Sequence, residues 1–325
     1  MLPRPACLLL CLAAAAPAAG QTPEAEPIRF ARTPDVSPDG RLVAFSYAGD
    51  IWTVEAVGGI ARPVTMHEDH DYHPAFSPDG RWIAFSSNRY GSYDVFTVPA
   101  YGGRPRRLTF DSADDVVQGW TPDGKGVLFT SDRSPEYPNT PALYRVPAEG
   151  GAVRRFPIPD VKQASHAPQN MARSSERGTR DGEESGSSAP GAAGSGFGGV
   201  LAYVTGPGLW YRKGYRGSSN DDVWVAAADG SFYRRVTDFD GQDTSPMWSP
   251  DGRTLFYVTE EFGTANIARR ELDADFNPAG PPRPVTHHRD DAVRLARISA
   301  GGGWIVYECG GDIWLVSTAE GATPR

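Results

Sequence analysis

The 325-residue sequence predicts an all-β fold, a six-bladed β-propeller of four-stranded antiparallel blades whose last blade is truncated. Three observations carry that expectation. A Ser-Pro-Asp-Gly turn motif recurs along the chain, and a strand with an aliphatic centre and a common pattern recurs six times. The composition agrees: Gly 37 and Pro 29 make about one residue in five. That content suits short strands joined by turns and disfavours a helical bundle.

The turn stands at Ser37-Pro38-Asp39-Gly40, Ser77-Pro78-Asp79-Gly80 and Ser249-Pro250-Asp251-Gly252, with a near copy at Thr121-Pro122-Asp123-Gly124 and a decayed one at Ser299-Ala300-Gly301-Gly302. Proline presets φ, aspartate bonds back to the chain and glycine takes the left-handed position. Each copy precedes a β-branched and aromatic run too short for a helix, such as Leu42-Val43-Ala44-Phe45-Ser46 or Trp82-Ile83-Ala84-Phe85-Ser86. Val200-Leu201-Ala202-Tyr203-Val204 has the run without the turn.

A second strand follows each run, as in Asp50-Ile51-Trp52-Thr53-Val54 and Asp312-Ile313-Trp314-Leu315-Val316. The six aliphatic centres at 51, 95, 143, 223, 267 and 313 are spaced by 44, 48, 80, 44 and 46 residues. A Gly-containing hairpin leads to a third strand, as in Arg62-Pro63-Val64-Thr65 and Arg234-Arg235-Val236-Thr237, and a further short strand such as Pro74-Ala75-Phe76-Ser77 ends each segment. Four short antiparallel strands at such a period make one propeller blade. One blade cannot cover both of its faces, so neighbours pack into a ring. A solenoid would need helices or parallel strands in each repeat, and none shows.

The surplus in the 80-residue interval is a Ser-, Gly-, Ala- and Arg/Glu-rich stretch at residues 163–199, expected to be a disordered insert. It displaces the fourth blade's turn motif, so that blade's innermost strand is expected to be weak or missing. The sixth copy stops at Thr323-Pro324-Arg325, inside its outer strand by analogy with Arg62-Pro63-Val64-Thr65. Two readings stay open. Either Ile28-Arg29-Phe30-Ala31-Arg32 helps close the ring, or the chain is the front piece of something longer.

Residues 1–20 read as a signal peptide. One arginine precedes an apolar stretch from Ala6 to Ala16, and Ala16-Pro17-Ala18 and Ala18-Ala19-Gly20 both suit a signal peptidase. Residues 21–325 are then the propeller, in a periplasmic or secreted protein. No other stretch is apolar enough for a membrane span. After cleavage Cys309 is the one cysteine left, so no internal disulfide is expected. Forty acidic against 32 basic residues give a net charge of -8, which argues against nucleic acid as a partner.

No catalytic constellation emerges. There is no Gly-x-Ser-x-Gly elbow, and the turn serines have a sufficient structural role. Met66-His67-Glu68-Asp69-His70-Asp71-Tyr72-His73 could offer metal ligands, but equivalent loops carry acids without histidines, so a polar loop is expected and no metal. Asp71, Asp115 and Asp243 fall six residues after the strand threonine of three blades. Ordering of a turn through backbone amides is the expected role, with a charged ring around the central opening as the alternative. Gly194-Ser195-Gly196-Phe197-Gly198-Gly199 fits a dinucleotide fingerprint but follows no strand and opens no helix, so no cofactor is expected. Trp210, Tyr211, Arg212, Tyr215 and Arg216 concentrate aromatics and bases in the long fourth-blade loop. Such residues supply most hot spots of protein contacts, and these five are the candidate binding residues. Equally open is that the loop folds back to cover an apolar end of the ring.

The repeat, with aromatic-Ser-Pro-Asp-Gly-Arg, Ile-Ala-Phe-Ser-Ser and Asp-Ile-Trp-Thr-Val, resembles the TolB-like or WD40-like β-propeller signature. Gly49-Asp50-Ile51-Trp52-Thr53-Val54-Glu55-Ala56-Val57-Gly58-Gly59, Phe85-Ser86-Ser87-Asn88-Arg89-Tyr90-Gly91 and the loop Gly208–Gly217 look like the N-terminal propeller of tricorn-type proteases, over roughly residues 27 to 325. In that family a six-bladed first propeller precedes a second propeller, a PDZ domain and the domains with the serine nucleophile. The resemblance implies a non-catalytic module of an exported tricorn-like serine protease, gating or binding peptides or partner domains, with the catalytic and PDZ domains absent from this chain. A stand-alone periplasmic TolB-like scaffold is the alternative, and a ligand-binding or enzymatic funnel is a third reading without a residue signature. Partners would be peptides, further protease domains or a second copy of the chain.

Overall fold

In five blades a tight turn joins the innermost strand to the second, and its hydrogen bonds explain why the motif recurs. The computed structural model describes residues 27–134, 140–168, 198–206 and 213–325. In the first copy, Ser37 Oγ donates to Asp39 Oδ1 at 2.6 Å and accepts the Leu42 N–H at 2.9 Å. Asp39 Oδ1 accepts the Arg41 N–H at 3.1 Å, and the Gly40 N–H donates to the Ser37 carbonyl at 2.8 Å. The same set recurs around Ser77, Thr121 and Ser249. The Ser77 hydroxyl and the Arg81 backbone bond hold the Asp79 carboxyl down at about 2. At Ser299, with no aspartate two residues on, the carboxylate bonds are lost, while the Gly302 N–H still donates to the Ser299 carbonyl at 2.7 Å and Ser299 Oγ accepts the Trp304 N–H at 3.3 Å.

Around these turns the chain lays down β1 (Arg32–Val36), β2 (Leu42–Tyr47), β3 (Asp50–Glu55) and β4 (Arg62–Pro63) as the first blade. The second is β5 (Asp71–Phe76), β6 (Trp82–Tyr90), β7 (Ser92–Pro99) and β8 (Arg106–Arg107), and the third is β9 (Asp115–Trp120), β10 (Gly126–Ser131), β11 (Ala142–Pro147) and β12 (Arg154–Arg155). Next come β13 (Gln163–His166), β14 (Val200–Thr205), β15 (Asp222–Ala227) and β16 (Tyr233–Arg235), then β17 (Asp243–Trp248), β18 (Thr254–Thr259), β19 (Asn266–Glu271) and β20 (Arg283–Pro284). The sixth blade has three strands, β21 (Arg294–Ile298), β22 (Trp304–Cys309) and β23 (Asp312–Ser317). All pairings are antiparallel and each blade is contiguous in sequence. The innermost strands touch in succession, β1 on β5 through to β17 on β21, and β21 returns to β1.

The outer strands are held by a repeated threonine. Thr65, Thr109, Thr237 and Thr286 each accept through Oγ1 the N–H of the aliphatic centre of the preceding strand, at 2.8–3.0 Å. In the sixth blade Leu315 and Arg325 exchange two backbone bonds of 2.9 Å, where Thr53 pairs with Arg62 in the first.

Alternation along the middle strands sends side chains to both faces, and each face meets a neighbouring blade. Leu255 and Tyr257 of β18 pack with Val200, Val204 and Val225 of the fourth blade, while Phe256 and Val258 pack with Val293, Ile305 and Tyr307 of the sixth. Six buried clusters result, one at each interface between blades. A fully buried side chain of this size contributes about 2 kcal/mol.

The sixth-to-first interface follows the same rule, with Val306 and Leu315 against Val36, Val43 and Phe45. It is braced by Glu308, which accepts the Thr33 N–H at 2.6 Å and pairs with Arg32 at 3.0 Å. The N-terminal segment takes part: the Phe30 N–H donates to the Gly311 carbonyl at 3.2 Å. It adds no strand to the sixth blade.

Two expectations need correction. The fourth blade's innermost strand is present: β13 pairs along its length with β14, drawn from the first residues of the stretch assigned as an insert. Residues 169–197 lie outside the described residues. The innermost strands are also longer than the short runs read from sequence, starting at Asp71 and Asp243 rather than Pro74 and Pro246.

Equivalent turn glycines differ in surroundings, which yields a test. Gly40 and Gly80 both have positive φ, at 72° and 70°. A Cβ at Gly40 would lie 2.3 Å from the Trp304 ring of the sixth blade, whereas at Gly80 the nearest atom is Pro38 Cδ at 3.4 Å. Gly80→Ala is expected to cost about 1 kcal/mol of backbone strain. Gly40→Ala is expected to cost about 1–3 kcal/mol more through overpacking. Urea unfolding of both variants checks this, and equal losses would show that Trp304 does not close over the first blade.

Candidate functional site

The innermost strands surround an axial cavity of about 620 Å³. Five of them carry a register shift, and in four a non-glycine residue at the shift has positive φ: Thr33 at 49°, His73 at 54°, Ser245 at 51° and Leu295 at 47°. Bulges of this kind re-aim the residues that follow them. Two residues before each turn Ser or Thr, the bulged strands place Asp35, Ala75, Gly119, Met247 and Arg297, all lining the cavity. The position is apolar or small except in the first and sixth blades, which carry opposite charges.

Arg297 reaches across the ring. Its Nη1 donates to the Gln118 carbonyl at 2.6 Å and Nη2 to the Val117 carbonyl at 3.3 Å, both on the third blade. The guanidinium therefore bars the axial passage. Its pKa is lowered by burial, which Asp35 opposes. Burial raises the Asp35 carboxyl to about 6 against the pull of Arg297, while Asp35 Oδ2 accepts the Phe76 N–H at 2.6 Å. His73 is pushed down to about 3 by burial and by Arg297, so its imidazole is neutral at pH 7. Other cavity residues tie blades together. Gln118 Oε1 accepts the Ala164 N–H at 3.4 Å and Gln163 Oε1 accepts the Ser245 N–H at 2.7 Å.

This arrangement suits binding. Among the described residues no histidine ring is hydrogen-bonded to a Ser, Thr or Cys side chain, the pairing that nucleophilic catalysis needs; His73 meets the Thr33 hydroxyl through its backbone N–H at 3.2 Å, and no three His, Cys, Asp or Glu side chains gather as metal ligands. His67 and His70 stay on the inter-blade loop, where His67 Nδ1 accepts the Asp69 N–H at 3.1 Å and His70 Nδ1 meets Tyr93 Oη at 3.3 Å. His166 bonds the carbonyls of Ala167 and Gly198.

The recurring acids lie between blades and form no ring around the opening. Asp71, Asp115 and Asp243 are all 0% exposed. Nor do they cap backbone amides. Arg89, eighteen residues on, meets both Asp71 oxygens at 2.9 Å, and Arg133 pairs with Asp115 in the same way. In the fifth blade the residue eighteen on is Glu261. Neither Asp243 oxygen has a partner in bonding geometry, although the Thr259 and Thr237 hydroxyls lie near enough to favour its ionised form. Burial wins, and the carboxyl rises to about 7.

Of the five candidate binding residues, Trp210, Tyr211 and Arg212 lie outside the described residues. Tyr215 is half-buried and Arg216 exposed, away from the axial cavity. The Arg216 guanidinium sits 4.2 Å from the centre of the Phe239 ring. The loop is fastened by Gly214 N–H to Glu260 Oε2 at 3.1 Å and Gly217 N–H to the Asp240 carbonyl at 3.0 Å. Asp35 and Arg297 escaped the sequence reading. The available signal was a charge pair at a strand position that is otherwise Ala, Gly or Met.

Residues 28–322 match the family described as the Tricorn protease N-terminal beta propeller domain. Tricorn protease homolog 1 of Streptomyces coelicolor (strain ATCC BAA-471 / A3(2) / M145) is 27% identical over 289 residues, covering 89% of this chain and 24% of that protein. Among solved structures, the tricorn protease superposes with a TM-score of 0.68 at 20% identity, over 89% of this chain and 25% of that one. TolB from Acinetobacter baumannii gives 0.51 at 22% identity, over 78% of this chain and 56% of that one. The chain thus spans about a quarter of the length of the tricorn proteins it matches.

The unpaired Asp243 makes a pH prediction. Between the ordinary carboxylate value and about 7 the folded chain holds a proton that the unfolded chain has lost. This contribution to stability is full at low pH and is lost as pH rises toward 7, by at most about 1.4 kcal/mol per pH unit. Asp243→Asn is expected to flatten the dependence between pH 5 and 7.5, and Glu261→Arg to stabilise the chain at pH 7 by restoring the cation of the sister blades. Denaturant melts across that range provide the readout. An unchanged pH profile in Asp243→Asn would place the proton elsewhere.

Proposed function

The chain belongs to the family of tricorn protease N-terminal beta-propeller domains, and on that premise we propose that it is a non-catalytic ring that binds peptides or partner domains of an exported tricorn-like serine protease. The observation that carries this reading is the match across residues 28–322, joined to a barred axial cavity with binding groups and no nucleophile–base pair among the described residues. Catalysis would reside on domains outside this chain. The ring selects what enters or leaves, by contacts at its faces and at the Arg297 bar. Tyr215 and Arg216, in the loop joining β14 and β15, are the described members of the candidate partner-binding set, to which the sequence adds Trp210, Tyr211 and Arg212. Residues 1–20 serve as the export signal.

A stand-alone scaffold of the TolB kind is favoured by one observation, the closure of the ring within this chain through Val36, Phe45, Val306 and Leu315. The two readings part on partner identity.

The purified chain, expressed with its own N-terminus and recovered from the cell envelope, tests both. Its mass is expected to begin at Gln21, and a panel of fluorogenic peptides is expected to bind without turnover. Arg216→Ala combined with Trp210→Ala is expected to weaken capture of a partner domain at least tenfold, the loss typical of hot-spot truncation. Turnover abolished by a single substitution in this chain would overturn the non-catalytic reading, and an uncleaved N-terminus would overturn export.

A further inference from the structure

We infer that the axial cavity is a binding site for a small organic carboxylate with an apolar body, held by Arg297 together with the wall made by β13 and β17. This goes beyond the family-based reading and does not depend on it.

Arg297 bonds two carbonyl oxygens through two nitrogens. A guanidinium has five N–H donors, and carbonyls are weaker partners for it than an anion. Among the described residues no carboxylate is ion-paired with it, and Asp35 acts on it through its charge without a hydrogen bond. Buried charge without an ionic partner in contact is a cost that an incoming carboxylate removes.

Two residues that line the same cavity carry buried polar atoms without a partner among the described residues. Trp248 is 4% exposed, and its Nε1–H has no acceptor. Trp120, at the same place in the third blade, donates to the Ala75 carbonyl of the preceding blade at 2.9 Å. Trp248 is preceded instead by β13, the one innermost strand paired without a register shift, and its indole finds no such carbonyl. The buried Ser165 Oγ of β13 is also unpartnered. An indole N–H, a hydroxyl and a guanidinium left wanting acceptors call for an acceptor-only ligand. Phe76, Met247 and Ile298 supply the apolar walls for its body.

Asp35 opposes an anion. The other titratable groups on the cavity are His73, neutral above about 3, His166, held low by burial, and Lys162, paired with Asp221 at 2.8 Å. Ligand binding is therefore coupled to protonation of Asp35 and strengthens as pH falls through about 6. The bar of Arg297 also lifts from the Gln118 and Val117 carbonyls when the anion is seated.

The test uses the whole chain and two probes of matched shape, phenylacetate and benzyl alcohol, titrated by calorimetry at pH 5.5 and 7.5. The expected result is one site, phenylacetate at least tenfold tighter than benzyl alcohol, and tighter at the lower pH. Arg297→Gln, checked for a native circular dichroism spectrum, is expected to abolish that preference. Trp248→Phe, which keeps the ring and removes the donor, is expected to weaken phenylacetate severalfold. Equal affinity of the two probes for the unaltered chain would overturn the proposal whether or not the variants fold, as would the absence of binding. Either failure leaves the partner-binding reading standing, because that reading is tested at the ring's faces.

Discussion

A four-stranded sheet with apolar side chains on both faces has no stable existence alone, and the architecture of this protein follows from that one constraint. Leu255 and Tyr257 need the fourth blade; Phe256 and Val258 need the sixth. Six such sheets satisfy each other only as a ring, so the contact between sixth and first blades bears on every other. That contact rests on Val306 and Leu315 against Val36, Val43 and Phe45, on Glu308 bound to Arg32 and Thr33, and on Trp304 seated over Gly40. Among the described residues no strand is exchanged across it. The closure is made by side chains, through apolar packing and the Glu308 bonds, supplemented by a backbone-to-backbone bond from Phe30.

The turn motif and the bulges divide the labour of shaping the interior. Ser-Pro-Asp-Gly turns set the spacing between innermost and second strands through the same few hydrogen bonds each time. Bulges at Thr33, His73, Ser245 and Leu295 then aim the following side chains at the axis. With the frame repeated, chemical individuality reduces to substitutions at repeated positions. Arginine where its sisters hold Asp, Ala, Gly or Met bars the channel at Arg297. Glutamate where its sisters hold arginine leaves Asp243 without a counter-ion. An unbulged β13 leaves the Trp248 indole without the carbonyl that Trp120 enjoys. Each departure from the repeat is a candidate for function because the repeat itself supplies the structural control.

Blade number, strand order and the roles of the turn residues were legible from Ser37, Ser77, Thr121 and Ser249 and from the aliphatic centres at 51 to 313, because local turn chemistry and period-two alternation are encoded by neighbours in sequence. The starts of the innermost strands were not. A bulge at His73 or Ser245 breaks the alternation that marks a strand, and Asp71 and Asp243 resemble loop acids until their arginine, or its absence, is seen eighteen residues on. β13 was concealed for a different reason: Gln163–His166 is too short and polar to stand out beside a low-complexity stretch, and it is defined only by its pairing to Val200–Thr205. The crossing of Arg297 to the third blade depends on a separation of 179 residues that no local pattern carries.

Whether side-chain contacts hold the ring shut is best measured by native-state hydrogen exchange read strand by strand. If the sixth and first blades close the ring as described, amides of β1 and β22 should exchange with the same opening free energy as those of β10 and β14, in one cooperative unit. Exchange of β1 and β22 through a separate opening of much lower free energy, with β10 and β14 still protected, would contradict the account and describe an open row of blades instead of a ring.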